Sequence, residues 1–241
     1  MSPLRILRLS ALGLLICWSL AAAYAQETAK PFRFETQKVD AYFAERAGAL
    51  AAALSFAAWP PTSELYAAPA VSRALLRQPA GVAGEVRSST TVRFGDEPWP
   101  QRTWSWKALP EGRRPSAGDS LDLQITLAPS GRAAQEYFLS SLADNELPTE
   151  GLVTLFKSAK RPENLGTVAF LVAPPKGYDT RLWFVRANVV FRLWGRGVLS
   201  AEVLPLASRL DERVLAQQPL TLEELRARRS QVPLGARPES D

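Results

Sequence analysis

There is no histidine in this chain of 241 residues, and cysteine and methionine occur once each, at Cys17 and Met1. The missing imidazole removes the usual general base, the Ser-His-Asp arrangement and the commonest ligand of zinc, copper and non-haem iron. One cysteine cannot close an intramolecular disulfide, hold an iron–sulfur cluster or complete a thiolate zinc site. N-glycosylation has no acceptor, because Asn145, Asn164 and Asn188 are not followed two positions later by Ser or Thr. No Ser-x-x-Lys spacing occurs; Ser158 and Lys160 stand two apart, not three. Gly195-x-Gly197 lacks the third glycine of a dinucleotide-binding loop. Neither a cofactor nor a metal is therefore expected.

What the chain does have begins with a leader. Arg5 and Arg8 stand in an N-terminal stretch without acids, Ala11 to Ala23 is an apolar run interrupted only by small residues, and Ala23-Tyr24-Ala25 offers small side chains at both cleavage-reading positions. That three-part pattern predicts a signal peptide over residues 1–25, cleaved after Ala25. The run is shorter than the roughly 20 apolar residues that span a bilayer, so no transmembrane helix is expected after cleavage. Ile16 precedes Cys17 where a lipid-modified cysteine normally follows a small residue, which argues against lipidation. Export without disulfides or glycosylation acceptors fits a bacterial periplasm or cell envelope. The formal net charge of +5 includes both leader arginines, and acids and bases mix along the rest, leaving no basic stripe for nucleic acid.

Periodicity supplies the architecture. Val39, Phe43, Ala47, Leu50 and Leu54 recur at spacings of three or four and predict a helix from about Thr36 to Ala58, ended by Pro60-Pro61. A shorter helix is expected from Pro69 to Gln78. Val86 to Phe94 alternates as a half-buried strand, Gly95-Asp96 turns the chain, and Trp104, Trp106 and Arg102 share one face of the return strand. A Pro-, Gly- and Arg-rich loop covers Leu109 to Asp119. Leu121, Leu123, Ile125 and Leu127 alternate with polar residues in the clearest strand, and Ser130 caps a helix to about Leu142. Leu152–Phe156, Thr167–Ala173 and Arg181–Trp194 read as strands. The last is either one long strand or a hairpin turning near Ala187-Asn188. An amphipathic helix carries Val203, Leu206, Ala207, Leu210 and Val214, with Pro205 in its first turn. Thr221 and Glu224 form a capping box for a final short helix, and a polar tail follows from about Ser230.

The order predicts an α+β fold: a mixed, mainly antiparallel sheet of about six strands packed against amphipathic helices. Residues 26–229 are expected to form a single domain, or two similar lobes at 82–148 and 149–229, with 230–241 a disordered tail. For function, Trp99, Arg102, Trp104 and Trp106 form the candidate ligand-binding cluster, since indole faces beside a guanidinium can stack on sugar or aromatic rings or anchor a protein. The competing reading has the rings roofing the core against the first helix. Arg186 and Arg192 pose a similar choice between anion binding and a solvated face. The loop acids Asp96, Glu97, Asp119, Asp122, Asp144 and Glu146 would serve glycoside hydrolysis only if two of them faced each other across a cleft. With catalytic chemistry so sparsely supplied, the expectation is an exported, non-enzymatic domain binding a ligand or an envelope protein. The alternatives are a His-free carboxylate hydrolase acting on glycans and a structural subunit of an envelope assembly.

Overall fold

The computed structural model describes residues 32–60, 62–77, 82–108, 119–173 and 179–230, with the side chains of 82–87 and 230 excepted. The signal peptide expected over residues 1–25, most of the loop expected over Leu109 to Asp119 and the tail expected from about Ser230 lie outside these residues. Described residues from Phe34 onward belong to one compact unit.

Six strands form one sheet: β1 (Val82–Phe94), β2 (Glu97–Ala108), β3 (Ser120–Leu127), β4 (Val168–Val172), β5 (Asp179–Arg186) and β6 (Val189–Arg196). Their order across it is β1-β2-β3-β6-β5-β4, and every neighbouring pair is antiparallel, so the sheet is not mixed. Around it lie α1 (Ala41–Ala53), α2 (Gly131–Ala143), α3 (Thr149–Ser158), α4 (Val203–Leu215) and α5 (Leu222–Ser230). The fold is α+β.

Cross-strand register sorts the side chains onto two faces. Leu121, Leu123 and Ile125 stand opposite Trp106, Trp104 and Arg102 on one side and Gly195, Leu193 and Phe191 on the other. This face is covered by α4, whose Val203, Leu206, Leu210 and Val214 are fully buried. Gly195 makes the approach possible, because a Cβ there would stand 2.8 Å from the Leu199 carbonyl oxygen. The opposite face carries Phe170 and Trp183, packed on Phe156 of α3 at 5.8 and 5.4 Å between ring centroids, with Phe138 of α2 stacked on Phe170 at 6.0 Å. Above these lies α1, against α2 and α3. Buried Arg46 of α1 reaches the carbonyls of Ala143, Asn145 and Leu147 at 3.1, 2.6 and 2.8 Å, satisfying backbone acceptors at the end of α2 with a cation.

Four local expectations change. The first helix opens at Ala41, where Asp40 accepts from the Phe43 amide at 2.9 Å, and left-handed Ser55 diverts the chain before Pro60. Instead of a helix over 69–78, the strap 62–77 contains a single 3₁₀ turn, Arg73–Leu75. Its backbone is claimed by neighbours: Leu220 donates to Leu65, Arg213 to Ala70, Arg209 to Leu75, and Glu202 accepts from the Arg77 amide. Leu152–Phe156 is helical in α3, since Leu152 and Phe156, four apart, both bury on the sheet side while Thr154 is exposed. In β1 the alternation does not mark burial over 88–94, where Ser88 to Thr91 are exposed on both faces and, among these described side chains, only Phe94 is buried.

The 181–194 run resolves as the β5–β6 hairpin, turning at Asn188 and at Ala187, which is left-handed. Fully buried Asn188 accepts from the Tyr66 amide at 2.7 Å and donates to the carbonyls of Tyr66 and Ala128 at 3.1 and 3.2 Å. Each half of the chain thus supplies a three-stranded meander and a helix, joined at β3–β6. A two-fold axis through that antiparallel pair would leave α2 and α4 on one face; they lie on opposite faces, so this operation does not relate the halves.

Candidate functional site: the open polar end of the sheet

Helix α2 covers only one end of its face of the sheet. There Gln101 donates to the Tyr137 hydroxyl at 2.6 Å and to Thr126 at 3.0 Å, and burial pushes the Tyr137 phenol above its ordinary value. Toward the other end the same face stays half-exposed, and register assembles a polar band across four strands. Thr103 and Ser105 of β2 stand opposite Gln124 and Asp122 of β3, which stand opposite Arg192 and Trp194 of β6. Trp194 in turn faces Arg181 of β5, and Arg196 faces Asp179.

Trp194 is the centre of this band. The guanidinium carbons of Arg181 and Arg196 lie 4.2 and 3.8 Å from its ring centroid, within cation–π range. Asp179 accepts from the indole N–H through one oxygen and from Arg181 at 3.1 Å through the other. The arginines are therefore held by stacking, which leaves guanidinium edges able to donate to an anion. Among the described residues, neither Arg192 nor Arg196 has a carboxylate within ion-pair distance. Beside Asp179 and Arg181 a groove of about 590 Å³ runs along β4 and the end of α3, also lined by Glu146, Ser158, Lys160 and Leu171. That volume lies within the range of small-molecule sites.

The sequence-derived cluster is divided differently. Trp104 and Trp106 are 4% and 0% exposed and belong to the α4 face, away from α1, so the stacking role expected of them has no accessible ring face. Trp99 is also fully buried, with the Arg229 guanidinium carbon 4.7 Å from its ring. Arg102 lines a small cavity beneath α5. Arg186 and Arg192 separate: Arg186 makes a two-pronged pair with Asp211 at 2.7 and 2.6 Å, which raises its affinity for its proton further, while Arg192 joins the open band.

Several acids have structural work, whereas Asp122 lies in the polar band and Glu146 lines the groove. Glu97 pairs with Arg226 and Arg229, and Asp211 also accepts from the Gly166 amide. Buried Glu136 accepts from the amides of Glu35 and Thr36 and from Arg132. Asp119 accepts from the Val198 amide, Glu202 from Arg77, and Asp144 ends α2. Among the described residues no three acids converge as a metal site would require. Also among them, no helix is long and apolar enough to cross a membrane.

Sequence reasoning missed Trp194, Arg181, Arg196 and Asp179. Their signal was the alternation of Trp and Arg on either side of Ala187-Asn188, which becomes a two-dimensional patch only if the chain turns there. With this geometry the molecule is an α+β domain presenting a polar, arginine-bearing sheet face beside a groove. Comparison with protein-family models, with curated proteins and with solved structures finds no match.

Proposed function

We propose that this chain is an exported, non-enzymatic binding domain of the bacterial periplasm or cell envelope, and that its ligand or partner seats on the open polar end of the sheet. The observation carrying this reading is Trp194 held between Arg181 and Arg196 on a half-exposed face, with Arg192 alongside. Fixed guanidiniums next to hydroxyl and amide side chains suit a ligand bearing both carboxylates and hydroxyls, such as an acidic glycan, because pre-positioned donors lose little freedom on binding. The engagement of Glu97 with Arg226 and Arg229, of Asp119 with the Val198 amide, and of Asp179 beside the groove with Trp194 and Arg181 favours binding over carboxylate-based hydrolysis.

Calorimetric titration with tetragalacturonate and with an uncharged tetrasaccharide of equal length tests this. The acidic sugar should bind, more weakly as salt rises, and the uncharged one at least tenfold less well. Combining Arg192→Ala with Arg196→Ala should reduce acidic-sugar affinity at least about a hundredfold, in line with charge-assisted bonds contributing about 1.5–3 kcal/mol each. Equal binding of both sugars, no binding, or an indifferent double variant would overturn the reading.

A further inference from the structure

A second cavity lies on the other side of the sheet, under α5, and none of its chemistry takes part in the open polar face. Its volume is about 80 Å³, and its walls are Ile125 and Leu127 of β3, Leu225 of α5 and Ala68 of the strap. Ile125 and Leu225 are 2% and 0% exposed, so the floor is buried and apolar. The rim is cationic. Helix α5 docks by placing Arg226 and Arg229 on the two oxygens of Glu97 at 2.8 and 3.2 Å, which uses both lone carboxylate oxygens. Arg228, on the same helix, borders the cavity with Arg102 and makes no ion pair among the described residues.

An apolar floor under a positive rim selects an anion with a hydrophobic body. Size then limits that body. A water molecule in the liquid occupies about 30 Å³, so this cavity has room for roughly three heavy atoms, a tail of about three carbons. We infer that the cavity is a binding site for a short apolar carboxylate, its tail among Ile125, Leu127, Leu225 and Ala68 and its carboxylate at Arg228. The open polar face is not involved.

The chain provides its own probe, because Ile6, Ile16 and Ile125 are its only isoleucines. Titration of the purified protein with sodium butanoate, followed at the Ile125 δ-methyl resonance, should give a saturable shift. Acetate lacks two methylenes worth about 0.8 kcal/mol each on burial, so it should bind roughly tenfold less tightly. Butan-1-ol, with the tail but not the charge, should also bind at least fivefold less tightly. Ala68→Leu fills the cavity and should abolish the shift. Arg228→Gln alters an exposed side chain, should leave the unliganded spectrum unchanged, and should weaken butanoate about fivefold. No saturable shift, equal binding of butanol and butanoate, or an unaffected Arg228→Gln protein would each overturn the assignment. The Arg192→Ala, Arg196→Ala protein should bind butanoate normally.

Discussion

Leu123 and Gln124 are chain neighbours that face opposite ways in β3. Leu123 is fully buried between Trp104 and Leu193, whereas Gln124 is half-exposed in the polar band. Truncating Leu123 to Ala should cost about 2–5 kcal/mol, from lost transfer energy and the cavity left behind. Gln124→Ala should stay within about 0.5 kcal/mol. Urea denaturation of the two variants checks both, and comparable losses would contradict the register, since a one-residue slip exchanges the faces. This contrast was readable from alternation alone. The buried polar residues were not: Arg46, Glu136 and Asn188 look like surface residues in sequence, because the backbone groups they satisfy lie far along the chain. No local pattern announces such a partner.

At the level of elements, α5 is where charge decides attachment. The Arg226 hydrogen bond, assisted by both nearby guanidiniums, holds the Glu97 carboxyl below its ordinary range, and the Thr221 amide and hydroxyl do the same for Glu224. A carboxylate with a depressed folded-state pKa contributes its stabilisation fully above the ordinary value of about 4.3. The contribution is lost as pH falls through the lower folded value. Acidification below that range should therefore loosen α5 before the sheet. Hydrogen exchange, corrected for intrinsic rates, should show protection falling in residues 222–229 while β3 and β6 stay protected, and Glu97→Gln should remove the Glu97 part of this pH dependence while leaving that of Glu224. The capping box that starts α5 was legible: Thr221 and Glu224 exchange hydrogen bonds at 2.8, 2.9 and 3.2 Å. Ser130 likewise caps α2, accepting from the Ala133 amide at 3.1 Å. Elements whose conformation depends on tertiary partners were misread. The strap gives the Ala70 and Leu75 carbonyls to α4 side chains, and β-branched Val153 and Thr154 gave α3 the composition of a strand although Leu152 and Phe156 kept helical spacing. The polar end of the sheet was illegible for a related reason, since Trp194 meets Arg181 only through the β5–β6 register.

For the molecule as a whole, cohesion comes from two apolar layers on either side of one sheet. The only cysteine is Cys17, and the chain has no histidine. Thermal melting should accordingly be unchanged by a reductant and by a zinc chelator; a clear shift with either would require a thiol link between molecules or a metal held by oxygen ligands. The order of the strands carries a kinetic consequence. Each meander pairs strands close in sequence, whereas the central seam joins residues 121–127 to residues 189–195. Local hairpins close quickly, but the seam must wait for a long loop to be confined, and topology of this kind slows folding. Until it closes, β3 and β6 each present a bare edge flanked by Leu123, Ile125, Phe191 and Leu193. Two nascent chains meeting at that moment could exchange halves, each β3 finding the other's β6. The same antiparallel seam that unites the monomer is thus the place where a crowded, slowly folding population would form swapped dimers or aggregate.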